Sequence, residues 1–168
     1  MATKIISKKI VSCLWFAMEA EEAVKFYTSI FKNSSVGKIM RYTGVGEEVH
    51  GMSAGTVMTI DFALENQGFV ALNAGPVFKF NEAISFIVYC DNQEEIDHYW
   101  NKLGEGGDEH SKMCGWLKDK FGLSWQIVPV YLEEIFDSAT EEQYNNVMTA
   151  VLQSKKLEIK VLEAAYNK

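Results

Sequence analysis

The sequence predicts an α+β fold of two βαβββ modules followed by C-terminal helices. Three observations carry that expectation. The stretch Val11–Tyr27 reappears in pattern at Ile84–Trp100. Each copy passes from a β-rich run into a helical periodicity and then into short strand-like runs split by turn signals. The residues after Pro129 show helical spacing alone.

In the repeat, "VSCLWFAMEAEEAVKFY" lies over "ISFIVYCDNQEEIDHYW" at an offset of 73 residues (84 − 11). Ser12 meets Ser85, and Glu21 and Glu22 meet Glu94 and Glu95. Val11, Leu14, Phe16, Phe26 and Tyr27 meet Ile84, Ile87, Tyr89, Tyr99 and Trp100. The first helix carries Ala23, Tyr27, Ile30 and Phe31 on one face, the second Ile96, Tyr99, Trp100 and Leu103. Asn92 with Glu95 three residues on predicts a cap for the second helix.

Strands are expected at Val36–Thr43, Thr56–Leu64 and Gln67–Asn73 in the first module. In the second they are expected at Ser111–Cys114, Trp116–Asp119 and Ser124–Val128. "GVGEE", "ENQG", "GEGGDE" and "DKFG" supply the turns. "GPVFKFN", Gly75–Asn81, divides the copies, giving modules at 1–75 and 76–130 and a helical extension at 131–168. In that extension Tyr144, Val147, Met148, Val151 and Leu152 form one helical stripe, with Ser138-x-x-Glu141 as a capping box. Leu157, Val161, Leu162 and Ala165 mark a second helix at Lys156–Tyr166. Apolar faces of this kind need a cover, either this chain's own sheet or a second copy, and a homodimer is expected.

The bulk properties narrow the function. Hydrophobic residues make up 48% of the 168 and charged residues 23%, enough for a buried core. A net charge of −7 argues against a nucleic-acid partner, whose phosphates need a basic face. No apolar run approaches the roughly 20 residues of a membrane-spanning helix. "MATKIISKKI" carries Lys4, Lys8 and Lys9 but no long apolar segment, so a cytoplasmic protein is expected. Cys13, Cys90 and Cys114 lie far apart with no Cys-x-x-Cys, a pattern of free thiols rather than a zinc site or disulfide framework.

Paired βαβββ modules resemble the vicinal oxygen chelate superfamily, which includes glyoxalase I, extradiol dioxygenases and fosfomycin- and bleomycin-resistance proteins. "FNEAISFIVYCDNQEEIDHYWNKL", "GGDEHSKMCGWLKDKFGLSWQIVP" and "KKLEIKVLEAAY" are similar to its PhnB-like subfamily, often labelled 3-demethylubiquinone-9 3-methyltransferase. The resemblance implies a glyoxalase/bleomycin-resistance-like fold. It also implies where a metal would sit in metal-using relatives: on His or Glu of each module's first strand and a Glu near its last. By register those positions are Ser12, a residue near Leu72, Ser85 and Gln126. None supplies an imidazole or carboxylate, so neither a metal nor another cofactor is expected. The methyltransferase label also lacks support here, because the first strand runs into "FAMEAEEAVKF" without the glycine-rich turn of doubly wound methyl-donor sites.

Strand alternation turns this into a site. If Gln126 faces a cup, Ser124 and Val128 do too, while Trp125 and Ile127 pack under a helix. The same rule assigns Ser12, Leu14 and Phe16 to the first cup and Ser85, Ile87 and Tyr89 to the second. Such a wall suits a small neutral or aromatic molecule better than a phosphonate, which calls for Arg or Lys. The competing expectation is an enzyme of glyoxalase or dioxygenase type, or a methyltransferase, with relocated active-site residues. Glu109 and His110 are its acid–base candidates, and His50 with Glu47 and Glu48 its alternative metal group. His98, in the second helix, is expected either solvated or packed against the sheet edge. In the third reading the chain is a ligand-free dimeric scaffold, with Ser12, Ser85 and Gln126 simply hydrogen-bonded in a filled core.

Overall fold

The computed structural model describes residues 9–168, so Lys4 and Lys8 lie outside the described residues. The chain divides between Lys79 and Phe80 into two compact units.

The first unit contains β1 (Ser12–Phe16), α1 (Ala20–Ile30), β2 (Ser35–Arg41), a single turn α2 (Glu47–His50), β3 (Val57–Leu64) and β4 (Gln67–Asn73). Its sheet has the order β1-β4-β3-β2, with β1 parallel to β4 and the other pairs antiparallel. Glu65 and Asn66, both at positive φ (44° and 62°), make the tight turn that joins β3 to β4. α1 buries Ala20, Ala23, Val24, Tyr27 and Ile30 against this sheet. Tyr27 stacks on Phe62 and Phe62 on Phe69, with ring centroids 6.4 Å and 5.2 Å apart. Asn73 fixes the geometry from inside. Its Oδ1 accepts from the Ala20 N–H at 2.9 Å, and its Nδ2 donates to the Val57 carbonyl at 3.1 Å.

The second unit contains β5 (Ser85–Cys90), α3 (Gln93–Leu103), a 3-10 turn (Glu109–Ser111), β6 (Trp116–Lys118) and β7 (Ser124–Pro129). α4 (Val130–Ser138), α5 (Glu141–Gln153) and α6 (Ile159–Tyr166) follow. The sheet order is β5-β7-β6, with β5 parallel to β7. α3 buries the predicted Ile96, Tyr99, Trp100 and Leu103, and Asn92 caps it by accepting from the Glu95 N–H at 3.0 Å.

Three expectations change. Ser111–Cys114 is no strand: Asp108 turns the chain by accepting the His110 N–H on its side chain and the Ser111 N–H on its carbonyl, leaving one isolated bridge between Met113 and Trp116. The second module therefore has three strands. The capping box of α5 is Thr140 with Gln143 rather than Ser138 with Glu141, because Ser138 still belongs to α4. α4 itself is additional to the predicted helices.

Leu132, Ile135, Val147, Leu157, Leu162 and Ala165 form the core of the helical extension. The Cys114 and Gly115 N–H groups tie it to the β6–β7 hairpin, donating to the Ser154 and Lys155 carbonyls at 2.7 Å and 2.8 Å.

Candidate functional site

Residues paired across neighbouring strands share a face of the sheet. In the second unit Phe86 pairs with Trp125 and Val88 with Ile127. Trp125, Ile127 and Leu117 are buried on the side that α3 covers. The opposite face carries Ser85, Ile87 and Tyr89 from β5, Ser124, Gln126 and Val128 from β7, and Trp116 and Lys118 from β6. Ile87 and Tyr89 are about half exposed there (47% and 51%).

Polar groups gather at one end of this face. Gln126 Nε2 donates to Ser85 Oγ at 2.8 Å. Ser124, paired with Ser85 and with Lys118, is 1% exposed, and its hydroxyl has no hydrogen-bond partner among the described residues. Lys118 reaches back to Glu82, whose carboxyl is held below its ordinary value mainly by that hydrogen bond. At the other end Tyr89 Oη donates to Glu133 Oε1 of α4 at 3.3 Å.

The first unit corrects the sequence reading. Ser12 pairs with Phe69, Leu14 with Ala71 and Phe16 with Asn73, all on the face covered by α1. Leu14 and Phe16 are 6% and 3% exposed and belong to the core. The cause is a slip of one residue. Three residues, 17–19, separate β1 from α1, whereas two, 91–92, separate β5 from α3. Aligning the two copies through their helices therefore puts the strands out of phase, and a one-residue slip sends every side chain to the other face. The open face of the first sheet instead carries Cys13 and Trp15, with Val70 and Leu72 on β4 and Asp61 and Thr59 on β3. Trp15 Nε1 donates to the Gly75 carbonyl at 2.8 Å, and its ring meets Phe78 edge-on at 4.9 Å. Alternation read from the helix-facing Phe62 and Phe69, rather than from the repeat, identifies this set.

The other candidates fall on exposed turns. Glu109 is ion-paired with Lys112, and this contact holds its carboxyl below the ordinary range. It and the neighbouring His110 sit on the exposed 3-10 turn. His50 closes its own loop: Nδ1 accepts from the Met52 N–H at 3.0 Å, and Nε2 lies 3.1 Å from the Val45 carbonyl. Both ring nitrogens are thus engaged, with the proton on Nε2, and neither is offered to a metal. Glu47 accepts from the Ser53 hydroxyl, and Glu48 is exposed. His98 is exposed on α3, edge-on to Tyr99.

The donor set decides the fit to the metal of the superfamily's metal-using members. Ser85 and Gln126 offer a hydroxyl and an amide, and the amide N–H already holds the hydroxyl. Such groups lack the charge and donor strength of imidazole and carboxylate ligands, so the residues present do not fit that metal. No three His, Cys, Asp or Glu side chains converge among the described residues. A phosphate-bearing or carboxylate-bearing methyl donor fits the start of α1 no better. The Ala20 and Met18 N–H groups are taken by Asn73 and Glu19, and Glu21 and Glu22 add negative charge to the first turn.

Two α+β units, each a small sheet backed by a helix, define the class: the glyoxalase/bleomycin-resistance-like fold of the vicinal oxygen chelate superfamily. The chain belongs to the PhnB-like family described as 3-demethylubiquinone-9 3-methyltransferase, whose profile matches residues 8–128. The match ends where β7 gives way to α4. The PhnB protein of Bacillus cereus is 37% identical over 73% of this chain and 100% of its own, with a TM-score of 0.62. Two more distant structures share the fold. Protein PA1353 of Pseudomonas aeruginosa is 19% identical over 73% of this chain and 98% of its own, at a TM-score of 0.56. The fosfomycin resistance protein FosX of Listeria monocytogenes is 14% identical over 77% and 96%, at 0.51. A comparison with curated proteins finds no match. Among the described residues no helix is long and apolar enough to cross a membrane.

Proposed function

We propose that this chain binds a small neutral or aromatic molecule on the open face of its second sheet, with no divalent metal between protein and ligand. The single observation behind this reading is the Gln126–Ser85 hydrogen bond beside the half-exposed Ile87 and Tyr89. An amide and a hydroxyl can exchange donor and acceptor roles with a carbonyl or hydroxyl of the ligand, and the apolar side chains supply contact area. Family membership supports a ligand-handling role for the fold, while the donor set argues against the metal chemistry of the superfamily's enzymes. In this reading the protein works in the cytoplasm as a homodimer, its partner being a second copy of the chain. Light scattering at micromolar concentration should then give about twice the 19.0 kDa chain mass.

The test is a fragment screen of neutral aromatic and carbonyl compounds followed by amide chemical shifts, with metal content measured on the same sample. Hits should shift the signals of residues 85–89 and 124–128 and be lost in Gln126→Leu. Stoichiometric divalent metal that leaves on Gln126→Ala would overturn the reading.

A further inference from the structure

A second feature of the same unit lies at the far end of this face, where the chain runs past the family match into α4 and α5. Tyr89, Phe136 and Tyr144 are exposed aromatic rings (51%, 38% and 43%). The Tyr89 hydroxyl donates to Glu133. Phe136 follows Glu133 by one helical turn, which puts the two side chains on the same side of α4. The Phe136 ring lies 5.1 Å from that of Tyr144 on α5, at an interplanar angle of 51°. One turn of α4 thus sets the Tyr89–Glu133 hydrogen bond beside the Phe136–Tyr144 ring pair. Among the described residues no lysine or arginine pairs with Glu133. α4 carries Glu133, Glu134 and Asp137 and no basic residue.

We infer that Tyr89, Glu133, Phe136 and Tyr144 form a surface subsite for a quaternary or trialkylated ammonium group. Aromatic faces attract such a cation through the ring quadrupole, and a nearby carboxylate supplies the counter-charge. A primary ammonium suits the site less well, because it needs acceptors for three N–H groups and the patch offers one carboxylate already engaged by a phenol. An anion is disfavoured by the acidic helix, and a neutral alkyl group gains nothing from Glu133. The subsite shares Tyr89 with the proposed ligand face but does not depend on Gln126 or Ser85.

The experiment is titration of the full chain with choline and with its uncharged isostere 3,3-dimethylbutan-1-ol, followed by amide and aromatic chemical shifts. Choline should saturate with shifts centred on residues 89, 133, 136 and 144, about tenfold more tightly than the isostere. Glu133→Gln should weaken choline about five- to tenfold, and Phe136→Ser should weaken it further. Both positions are exposed, so the variants should keep the wild-type circular dichroism. Gln126→Leu should leave choline binding unchanged, which separates this subsite from the ligand face proposed above. Equal binding of choline and its isostere, no saturable shift, or unchanged choline affinity in Glu133→Gln would each overturn the assignment.

Discussion

Gln126 and Ser85 are joined across the parallel β5–β7 pair, Nε2 to Oγ, at 2.8 Å on the face that α3 leaves uncovered. The amide is partly solvated, so the bond orients the two groups more than it holds the sheet together. Gln126→Leu should change the unfolding free energy by less than about 1 kcal/mol while removing the orienting contact. Urea denaturation alongside fragment binding separates the two effects. A large loss of stability would mean that the pair is a core contact instead.

Ser124 makes the opposite prediction. Its buried hydroxyl carries a desolvation cost with no partner among the described residues. Ser124→Ala should therefore stabilise the protein, by about 1 kcal/mol. A higher urea midpoint with an unchanged slope is the expected result. If the same variant also weakens fragment binding, the hydroxyl is a ligand contact kept at the expense of stability.

Asp119 explains the spacing of "WLKDKFGLSWQ" without assigning it any chemistry. Its Oδ1 accepts from the Phe121 and Leu123 N–H groups at 2.8 Å and 3.1 Å, and its Oδ2 from Trp125 Nε1 at 2.8 Å. One carboxylate thus shapes the β6–β7 turn and anchors the indole. Asp119→Ala leaves those donors buried and unmet, which should cost about 3 kcal/mol. Denaturant melts followed by tryptophan fluorescence would report it.

Gly107 sits against the β6 backbone, where a Cβ would lie 2.0 Å from the Lys118 carbonyl oxygen. Gly107→Ala should destabilise by about 2 kcal/mol or more, because backbone must move to admit it. Gly122 is the control. Its φ of 85° strains an alanine, but nothing lies within 4 Å of the added Cβ, so Gly122→Ala should cost only about 1 kcal/mol. Thermal melts of the two variants should rank in that order.

Cys90 is a buried thiol that ties stability to high pH. Burial, helped by the charges of Glu95 and Asp91, pushes its thiol from 9.0 up to about 12. Its contribution is fully present below pH 9.0 and is lost as pH rises from there toward 12, because the unfolded chain releases the proton first. Stability should fall across that window in the wild type and fall less in Cys90→Ala. At pH 8 a thiol reagent should label the exposed Cys13 in the folded protein, slowed because partial burial raises its thiol above the ordinary value, and Cys90 only on unfolding.

Much of this architecture was legible because its signals are local. Gln67–Asn73 appears as a strand with the predicted bounds, and α3 buries the predicted face, since period and turn chemistry act within a few residues. The misses have equally local causes. Asp108 outcompetes a strand at Ser111 by offering its own acceptor, and Pro129 starts α4 from what reads as the end of a β-run. The placement of Leu14 and Phe16 failed for a different reason. Sequence similarity aligned the copies through their helices, while the face of a strand depends on the parity of the connection before the helix. Ser85, Ile87 and Tyr89 do stand on the open face, in register with Ser124, Gln126 and Val128 of β7.

The unequal connections, residues 17–19 against 91–92, have a consequence for anyone redesigning this chain. Histidine at Ser85 would stand on the uncovered face, whereas histidine at Ser12 would be pushed under α1 beside Phe69. A consensus averaged over the two halves would therefore mix inward-facing with outward-facing positions along every first-strand residue. The symmetry of the repeat is a pattern of letters and does not map one half's surface onto the other's. Each half must be edited by its own strand pairing.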